Sequence, residues 1–378
     1  MDDLRTLAAY RDLFPIAREV AFLNHAANGA IATPVAEAMI AHVREHAALG
    51  SRATAGWKVQ QQRTRAKMAA FVGAAPGEIA MLTNTPQAIA TIASGLDWRQ
   101  GDRVVLADQE FPSNVLPWTS LARRGVETVV VRSQGGAVPA ESVIAAIDGR
   151  TRVVALSWVQ FGTGFRADLA RIAEACRTRG ALLGVDAMQG LGALPLDVAA
   201  VGIDFFAAAS HKWLLGPTGV GWLYCRAGLI ERVQPAIVGQ KSFDRPEDGL
   251  DANAPALWTD ARRFEAGKFN SVGAVGLEAA LELLSEVGGT RIEVRIADLT
   301  SRLTDGLLRR GFLLAAPRDG ASWSGIVAFR SDHHATDTLM AKLDAAGVVV
   351  SVRKGLIRVA PHFYNNEDDI DRLLEALP

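Results

Sequence analysis

Cysteine is scarce in this chain. Its 378 residues include two, Cys176 and Cys225. Each sits inside an apolar stretch, and their spacing fits neither a disulfide framework nor a metal knuckle. Both read as small core residues of a chain kept in a reducing compartment. Long apolar runs are missing too. None approaches the ~20 residues that a membrane helix needs, so no membrane partner is expected. The opening residues, MDDLRTLAAYRDLF, are acidic and carry no apolar core of the signal-peptide kind, and a cytoplasmic location is the expectation. A surplus of either charge is absent: 40 Lys and Arg stand against 41 Asp and Glu, a net charge of −1. With no basic stripe interleaved with aromatics, nucleic acid is not an expected partner. No internal repeat and no low-complexity segment appears.

The length exceeds what one hydrophobic core usually holds, so two lobes are expected. Apolar runs of strand length, at 78–82, 103–107, 152–158, 181–186 and 204–210, alternate with helical patterns. One helix starts near Pro86, one covers 115–124, and one runs from an N-cap at Asp168 to a stop at Gly180. Continuous apolar strands separated by helices predict an α/β fold with a mostly parallel sheet sandwiched by helices. The rhythm breaks at 239–255, which is polar and rich in Gly and Pro, as a domain joint would be. Beyond it, helices at 274–287, 292–310, 335–346 and 368–377 accompany short strands at 325–330, 347–351 and 356–360. That pattern predicts a smaller α+β lobe. The expected division is a large lobe over 16–250 and a small lobe over 251–378 joined by residues 1–15.

The chemistry gathers at strand ends, where open α/β sheets bind ligands. In FFAAASHKWLLGPTGVGWLYC, Lys212 ends an apolar strand. A desolvated amine has a lowered pKa and forms Schiff bases; the alternative is a surface turn whose lysine reaches water. Asp186 ends another apolar run and needs a cationic partner, unless it is a turn or N-cap aspartate. Asn84 and Thr85 precede a helix with Pro86 in its first turn, an N-terminus able to bind phosphate or simply a capped helix. Phe111 is a stacking plate for a flat ring or a core residue. Gln160 and Thr163 are ligand contacts or turn residues. Taken together, an amine, a carboxylate, an anion-binding helix start and an aromatic match pyridoxal 5'-phosphate, whose chemistry needs all four. A competing pattern is HVREH, in which His42, Glu45 and His46 fit the H-x-x-E-H motif of zinc peptidases. It is a single five-residue match on an alanine-rich helix, with no third ligand in view. The glycines of GPTGVG lead into a strand instead of opening a helix, which is wrong for a dinucleotide site.

Five segments in order carry a resemblance: FLNHAANGAIATPVAEAM, VDAMQGLGALPLDV, SHKWLLGPTGVGWLY, RRFEAGKFNSVGAVGL and RVAPHFYNNEDDIDRLLEAL. Through them the chain resembles the class V aminotransferase family. These are fold-type I pyridoxal-phosphate enzymes that include cysteine desulfurases, kynureninase and isopenicillin N epimerase-like proteins. The resemblance implies that Lys212 forms the internal aldimine and shuttles protons, that Asp186 pairs with the ring nitrogen, and that Gln189 reaches the ring hydroxyl. It implies phosphate binding by Thr85, Ser210 and His211 beside Asn84, and stacking by Phe111. Arg358 takes the substrate carboxylate, with Arg353 as a second candidate, and His25 in LNHAANG is a candidate proton carrier. A homodimer with the site near its interface is implied as well.

Three positions depart from the family pattern. Pro86 replaces a second threonine, Ala209 a frequent serine, and Lys268 a threonine that reaches the partner subunit's cofactor. A fourth departure bears on the reaction. In SVRKGLIRV, Arg353 and Arg358 are joined directly, leaving no room for the loop that carries a desulfurase's nucleophilic cysteine. The expected reaction on a small amino acid passes through an external aldimine and a quinonoid to transamination or Cβ elimination without a catalytic cysteine. Epimerisation and kynureninase-like hydrolysis are the alternatives.

Overall fold

The computed structural model describes residues 7–244 and 256–378. The lobe boundary expected at 250/251, and the greater part of the joint at 239–255, lie outside the described residues.

Seven strands, apolar almost from end to end, build the central sheet: β1 (Ile79–Leu82), β2 (Arg103–Ala107), β3 (Glu127–Val131), β4 (Thr151–Ser157), β5 (Leu182–Asp186), β6 (Phe205–Ala209) and β7 (Gly221–Cys225). Their order across the sheet is β1-β7-β6-β5-β4-β2-β3. All run parallel except β7, which is antiparallel to both β1 and β6. Side chains along a strand alternate between faces. Val104, Leu106, Val153, Ala155, Phe205 and Ala207 join one core, while their neighbours Val105, Ala107, Val154, Leu156, Phe206 and Ala208 join another. Both faces are covered, which is why these strands read as unbroken apolar runs.

The helices used below are α1 (Thr33–Leu49), α2 (Thr54–Phe71), α3 (Thr85–Gly95), α4 (Leu169–Arg179), α5 (Ser271–Val287), α6 (Gly289–Arg309), α7 (Thr336–Ala345) and α8 (Glu367–Ala376). Among the described residues none is long and apolar enough to cross a membrane. The helix expected at 115–124 is a single α-helical turn, Leu116–Thr119, followed by a 3-10 segment, Ser120–Arg124.

A four-stranded antiparallel sheet forms the second lobe. Its strands are β8 (Leu313–Leu314), β9 (Val327–Arg330), β10 (Ser351–Arg353) and β11 (Leu356–Val359), in the order β10-β11-β9-β8. Between β10 and β11 lie only Lys354 and Gly355, both with positive φ (51° and 79°). That is the backbone of a tight two-residue hairpin. The strand expected at 347–351 is divided: Val348–Val349 pairs with Ala21–Phe22, and Ser351 starts β10.

Two segments pack across the expected division. Helix α5, expected in the small lobe, packs on α1 and α2 and buries Leu277, Leu281 and Leu284 in the large-sheet core. Tyr10 and Phe14, expected with the small lobe, pack on Phe363 and Tyr364 near the end of the chain. Conversely, Ala21 and Leu23 are buried with Val327, Phe329, Ile357 and Val359 of the small sheet. The polar joint marks where the strand–helix rhythm stops. The apolar stripe of α5 is covered by α1, α2 and the large sheet before the chain reaches the small sheet.

Candidate active site

The carboxyl ends of β1, β2, β4, β5 and β6 open on one cavity of about 280 Å³. Lys212 projects into it from the turn after β6. That turn is held rigid. Gly216 N donates to Ser210 O (2.9 Å), Leu215 N to Lys212 O (3.1 Å), and Gly29 N to His211 O (2.8 Å). Leu215 carries φ of 56°, a strained value for a bulky residue. A Cβ at position 29 would lie 2.1 Å from Lys212 O, so only glycine allows this approach. The amine is partly open to the cavity and otherwise desolvated. Burial pushes its pKa down to about 8; Asp186 opposes the shift, and Arg358 and Arg353 add to it. A substantial neutral fraction at physiological pH makes it a nucleophile. Its Nζ stands 5.7 Å from the centre of the Phe111 ring, which in turn meets the edge of Phe161 at 5.1 Å.

Asp186, at the end of β5, is buried, and its Oδ1 accepts from Met188 N (2.9 Å). Burial raises its pKa, so its charge calls for a cationic partner in the cavity. Gln189 is clamped: Nε2 donates to Ala26 O, and Oε1 accepts from the indole of Trp213, both at 3.0 Å. Its second amide hydrogen remains for a ligand. Arg358, on β11, donates through Nη1 to Phe161 O (2.8 Å) and through Nε to Ser351 Oγ (3.3 Å), and its Nη2 is buried without a partner. Burial, then Arg353, lowers its pKa to about 10, which leaves it charged at neutral pH. His211 also presents a buried, unpartnered Nδ1. Thr85, Asn84 and Pro86, at the N-terminus of α3, line the same cavity, as do Arg353 and Met188. Buried polar atoms without partners are rare in folded proteins, and those of Arg358 and His211 border a cavity where a ligand can supply the missing contact. The amine, the carboxylate, the helix start and the two orphaned nitrogens together fit pyridoxal phosphate and an amino-acid carboxylate.

Several expected site residues lie elsewhere. Ser210 is buried off the cavity, and its hydroxyl donates to Pro217 O and Val220 O, closing the turn instead of facing a phosphate. His25 is fully buried behind the Lys212 turn and does not line the cavity. Its Nδ1–H donates to Ala360 O and its Nε2 accepts from Tyr364 OH, both at 2.8 Å. Burial pushes its pKa down to about 4, so it is a neutral structural ring and not a proton carrier. Asn84 caps α3 through Gln87 N (2.9 Å) while bordering the cavity. Gln160 and Thr163 serve Glu110 and Gly136 O. Lys268 is exposed and does not line its own chain's cavity.

The zinc reading is overturned by the side chains themselves. Trp57 Nε1 donates to Glu45, His46 packs edge-on to Trp57, and His42 pairs with Ser271 Oγ. Among the described residues no group of three His, Cys, Asp or Glu could hold a metal. Cys176 and Cys225 are free, buried and off the cavity, and burial raises both thiol pKa values.

One residue escaped the sequence reading. Glu110, just before Phe111, is buried and accepts from Ser157 N and Oγ, Gln160 Nε2 and Asn114 Nδ2. It ties the Phe111 segment to the end of β4, under the cavity wall. The only trace in the sequence is an acid placed between a strand end and an aromatic.

The sequence model of the aminotransferase class-V family matches residues 21–373. A probable cysteine desulfurase of Methanothermobacter thermautotrophicus is 31% identical, over 99% of this chain and 98% of the relative. The apo structure of a cysteine desulfurase from Thermococcus onnurineus superposes with a TM-score of 0.90 at 26% identity, covering 99% of this chain and 98% of that one. A lysine-to-alanine variant of the cystine C–S lyase C-DES, with glycine covalently linked to its pyridoxal-phosphate cofactor, superposes with a TM-score of 0.89 at 25% identity, covering 97% and 98%. The fold is therefore that of the fold-type I pyridoxal-phosphate enzymes. With the match running almost from end to end and the cavity furnished for that cofactor, this chain belongs to the class-V aminotransferase family and is a pyridoxal-phosphate enzyme.

Proposed function

We propose that this enzyme removes a β substituent from a small α-amino acid, with pyridoxal phosphate held at Lys212 and without a protein thiol. The convergence of Lys212, Asp186 and Arg358 on one cavity carries the reading. When bound, the cofactor supplies an electron sink for the bonds at Cα. Asp186 keeps the ring nitrogen protonated, Gln189 offers its free amide hydrogen to the ring hydroxyl, and Phe111 covers the ring. Thr85, His211 and the N-terminus of α3 receive the phosphate. Arg358 takes the substrate's α-carboxylate with its unpaired Nη2, a planar match for that group. Lys212 accepts the Cα proton at Nζ and hands it to the leaving group.

Three observations favour elimination without a cysteine nucleophile. A structural relative at 26% identity is described as a cystine C–S lyase. The two-residue turn at Lys354–Gly355 leaves no loop beside Arg358, and both thiols are buried elsewhere. Epimerisation needs a second proton carrier on the opposite face of Cα, and its candidate, His25, is sealed behind the lysine turn. The test is a product screen of the holoenzyme with β-substituted alanines. Pyruvate and ammonia released one for one support elimination. A keto acid formed only when a second keto acid accepts the amine assigns transamination instead. No product and no change of the visible band would overturn both.

The reading extends to a homodimer in a reducing, cytoplasmic setting. Ile40 and Val43 on α1 and Val59 on α2 are exposed apolar residues suited to a second copy, and Lys268 is free to meet the phosphate in the partner's site. Light scattering tests the first, and weaker cofactor retention in Lys268→Ala tests the second.

A further inference from the structure

Lys212 is only as well placed as the backbone that carries it. The consecutive carbonyls of His211, Lys212 and Trp213 fix that backbone. His211 O accepts from Gly29 N (2.8 Å), and Lys212 O accepts from Leu215 N inside the turn (3.1 Å). Trp213 O accepts from a side chain, the imidazole of His362 (2.9 Å). That ring is fully buried, and its neighbours determine its tautomer. Phe363 N donates to Nδ1 (2.8 Å), so the hydrogen sits on Nε2 and points at the carbonyl. Burial holds the ring's pKa well below its ordinary value and keeps it neutral. The oxygen is hemmed in elsewhere too: a Cβ at position 192 would lie 2.3 Å from it. The indole of the same Trp213 donates to Gln189 Oε1 (3.0 Å).

Two of these three holders belong to segments that pack with the small sheet. Just beyond β11, which carries Arg358, Ala360 pairs in parallel with Asn24. Ala360 N donates to Leu23 O (2.8 Å), and His25 N donates to Ala360 O (3.2 Å). One of the paired segments runs on to Gly29, and the other to His362. A continuous hydrogen-bonded frame therefore joins the guanidinium that takes the substrate carboxylate to the peptide that carries the amine. Proton transfer between Lys212 Nζ and Cα depends on the spacing of those two groups, and a misplacement of about 1 Å can cost on the order of 10²-fold in rate. We propose that His362 is a positioning residue: its Nε2–H fixes the Trp213 peptide and so sets Lys212 Nζ at the working distance from Arg358. This rests on the functional reading above, which makes Lys212 the amine that binds the cofactor.

The experiment compares three variants. His362→Asn keeps an acceptor for Phe363 N but is too short to reach Trp213 O. His362→Gln extends an amide N–H to that oxygen. Tyr364→Phe deletes the hydroxyl that bonds His25 and loosens the same region without touching the Lys212 turn. The readouts are the thermal midpoint, the rate at which the apoenzyme takes up pyridoxal phosphate in a form that borohydride fixes, the pH midpoint of the holoenzyme's visible band, and kcat and KM for β-chloro-L-alanine. In His362→Asn, uptake is expected to slow severalfold, the pH midpoint to move by about half a unit, and kcat to fall about tenfold. KM should stay within about twofold, because Arg358 keeps its bonds to Phe161 O and Ser351 Oγ. His362→Gln should recover most of each change. Tyr364→Phe should lower the thermal midpoint alone. A His362→Asn variant that lowers only the thermal midpoint overturns the proposal. So does equal impairment of the Asn and Gln variants, or a Tyr364→Phe variant that moves the uptake rate and the band as far as His362→Asn. Uptake and the band need no turnover, so they judge His362 even where the product screen assigns another reaction. Cofactor that borohydride still fixes to Lys212→Ala overturns the functional reading itself, and this inference with it.

Discussion

Two buried regions flank the Lys212 turn, and they treat their polar atoms in opposite ways. Behind the turn most such groups are matched, with Asn24 Oδ1 beside His25 left without a partner. His25 uses both ring nitrogens. His362 donates to Trp213 O (2.9 Å) and accepts from Phe363 N (2.8 Å), and the Trp213 indole donates to Gln189. Asn365 bonds Asp369, which Arg11 grips with two nitrogens at 2.7 and 2.9 Å. In front of the turn, Arg358 Nη2 and His211 Nδ1 have no partner, and Lys212 is desolvated without a direct ion pair. An unsatisfied buried polar group costs about 1–3 kcal/mol. The rear region is therefore structural, and the front region is unfinished until ligands complete it. Residue type does not separate the two: both contain histidine and arginine.

The sharpest break of this contrast is Lys212→Ala. Loss of the nucleophile and proton carrier is expected to abolish borohydride fixation of the cofactor to the protein and lower kcat on the order of 10⁴-fold. The thermal midpoint should hold or rise, because a desolvated amine is removed from an incomplete site. Cofactor that borohydride still fixes to the protein in this variant would refute the assignment of Lys212.

The rear region has an acid limit. His25 titrates near 6.5 when unfolded and at about 4 when folded, so the unfolded chain takes up the proton first as pH falls. Stability is full above pH 6.5 and declines towards pH 4, by up to about 3 kcal/mol from this ring. Urea midpoints between pH 7 and 4.5 should show that slope, and His25→Gln should make it shallower. Identical slopes would mean that the ring is not sealed.

Trp213→Phe joins the two regions. It deletes the donor to Gln189 and should cost about 1–3 kcal/mol. Because Gln189 is proposed to bind the ring hydroxyl, the visible band of the holoenzyme should also shift. A stability loss with an unmoved band would confine Trp213 to the rear. The smallest effect concerns the front alone. Capture of pyridoxal phosphate by the apoenzyme should accelerate severalfold from pH 7, reach half its limit near pH 8, where the Lys212 amine is half neutral, and level off about one pH unit higher. A rate flat across that range would contradict the lowered pKa.

Much of the sheet was legible because a buried parallel strand leaves an uninterrupted apolar run, as at Val104–Ala107 and Leu182–Val185. Lys212 and Asp186 stood out for the same reason, as charges placed where such runs end. Other features had no local signal. Ser210 and Ala209 are neighbours, and only the path of the turn decides that the serine hydroxyl meets Pro217 O and not the cavity. His25 was read as a site residue from its motif. Its partners, Ala360 and Tyr364, lie over 300 residues away, and they remove it from the chemistry. Glu110 is silent in sequence because its partners come from β4 and the loops around it.

By itself, then, the sequence determined which segments become buried strands and which charged side chains end them, because burial and turn chemistry act over a few residues. Only the tertiary structure decided which of those polar groups find partners and which face a cavity, and which lobe α5 and residues 21–23 join. Those outcomes depend on atoms brought together from distant parts of the chain, and no local pattern encodes that proximity.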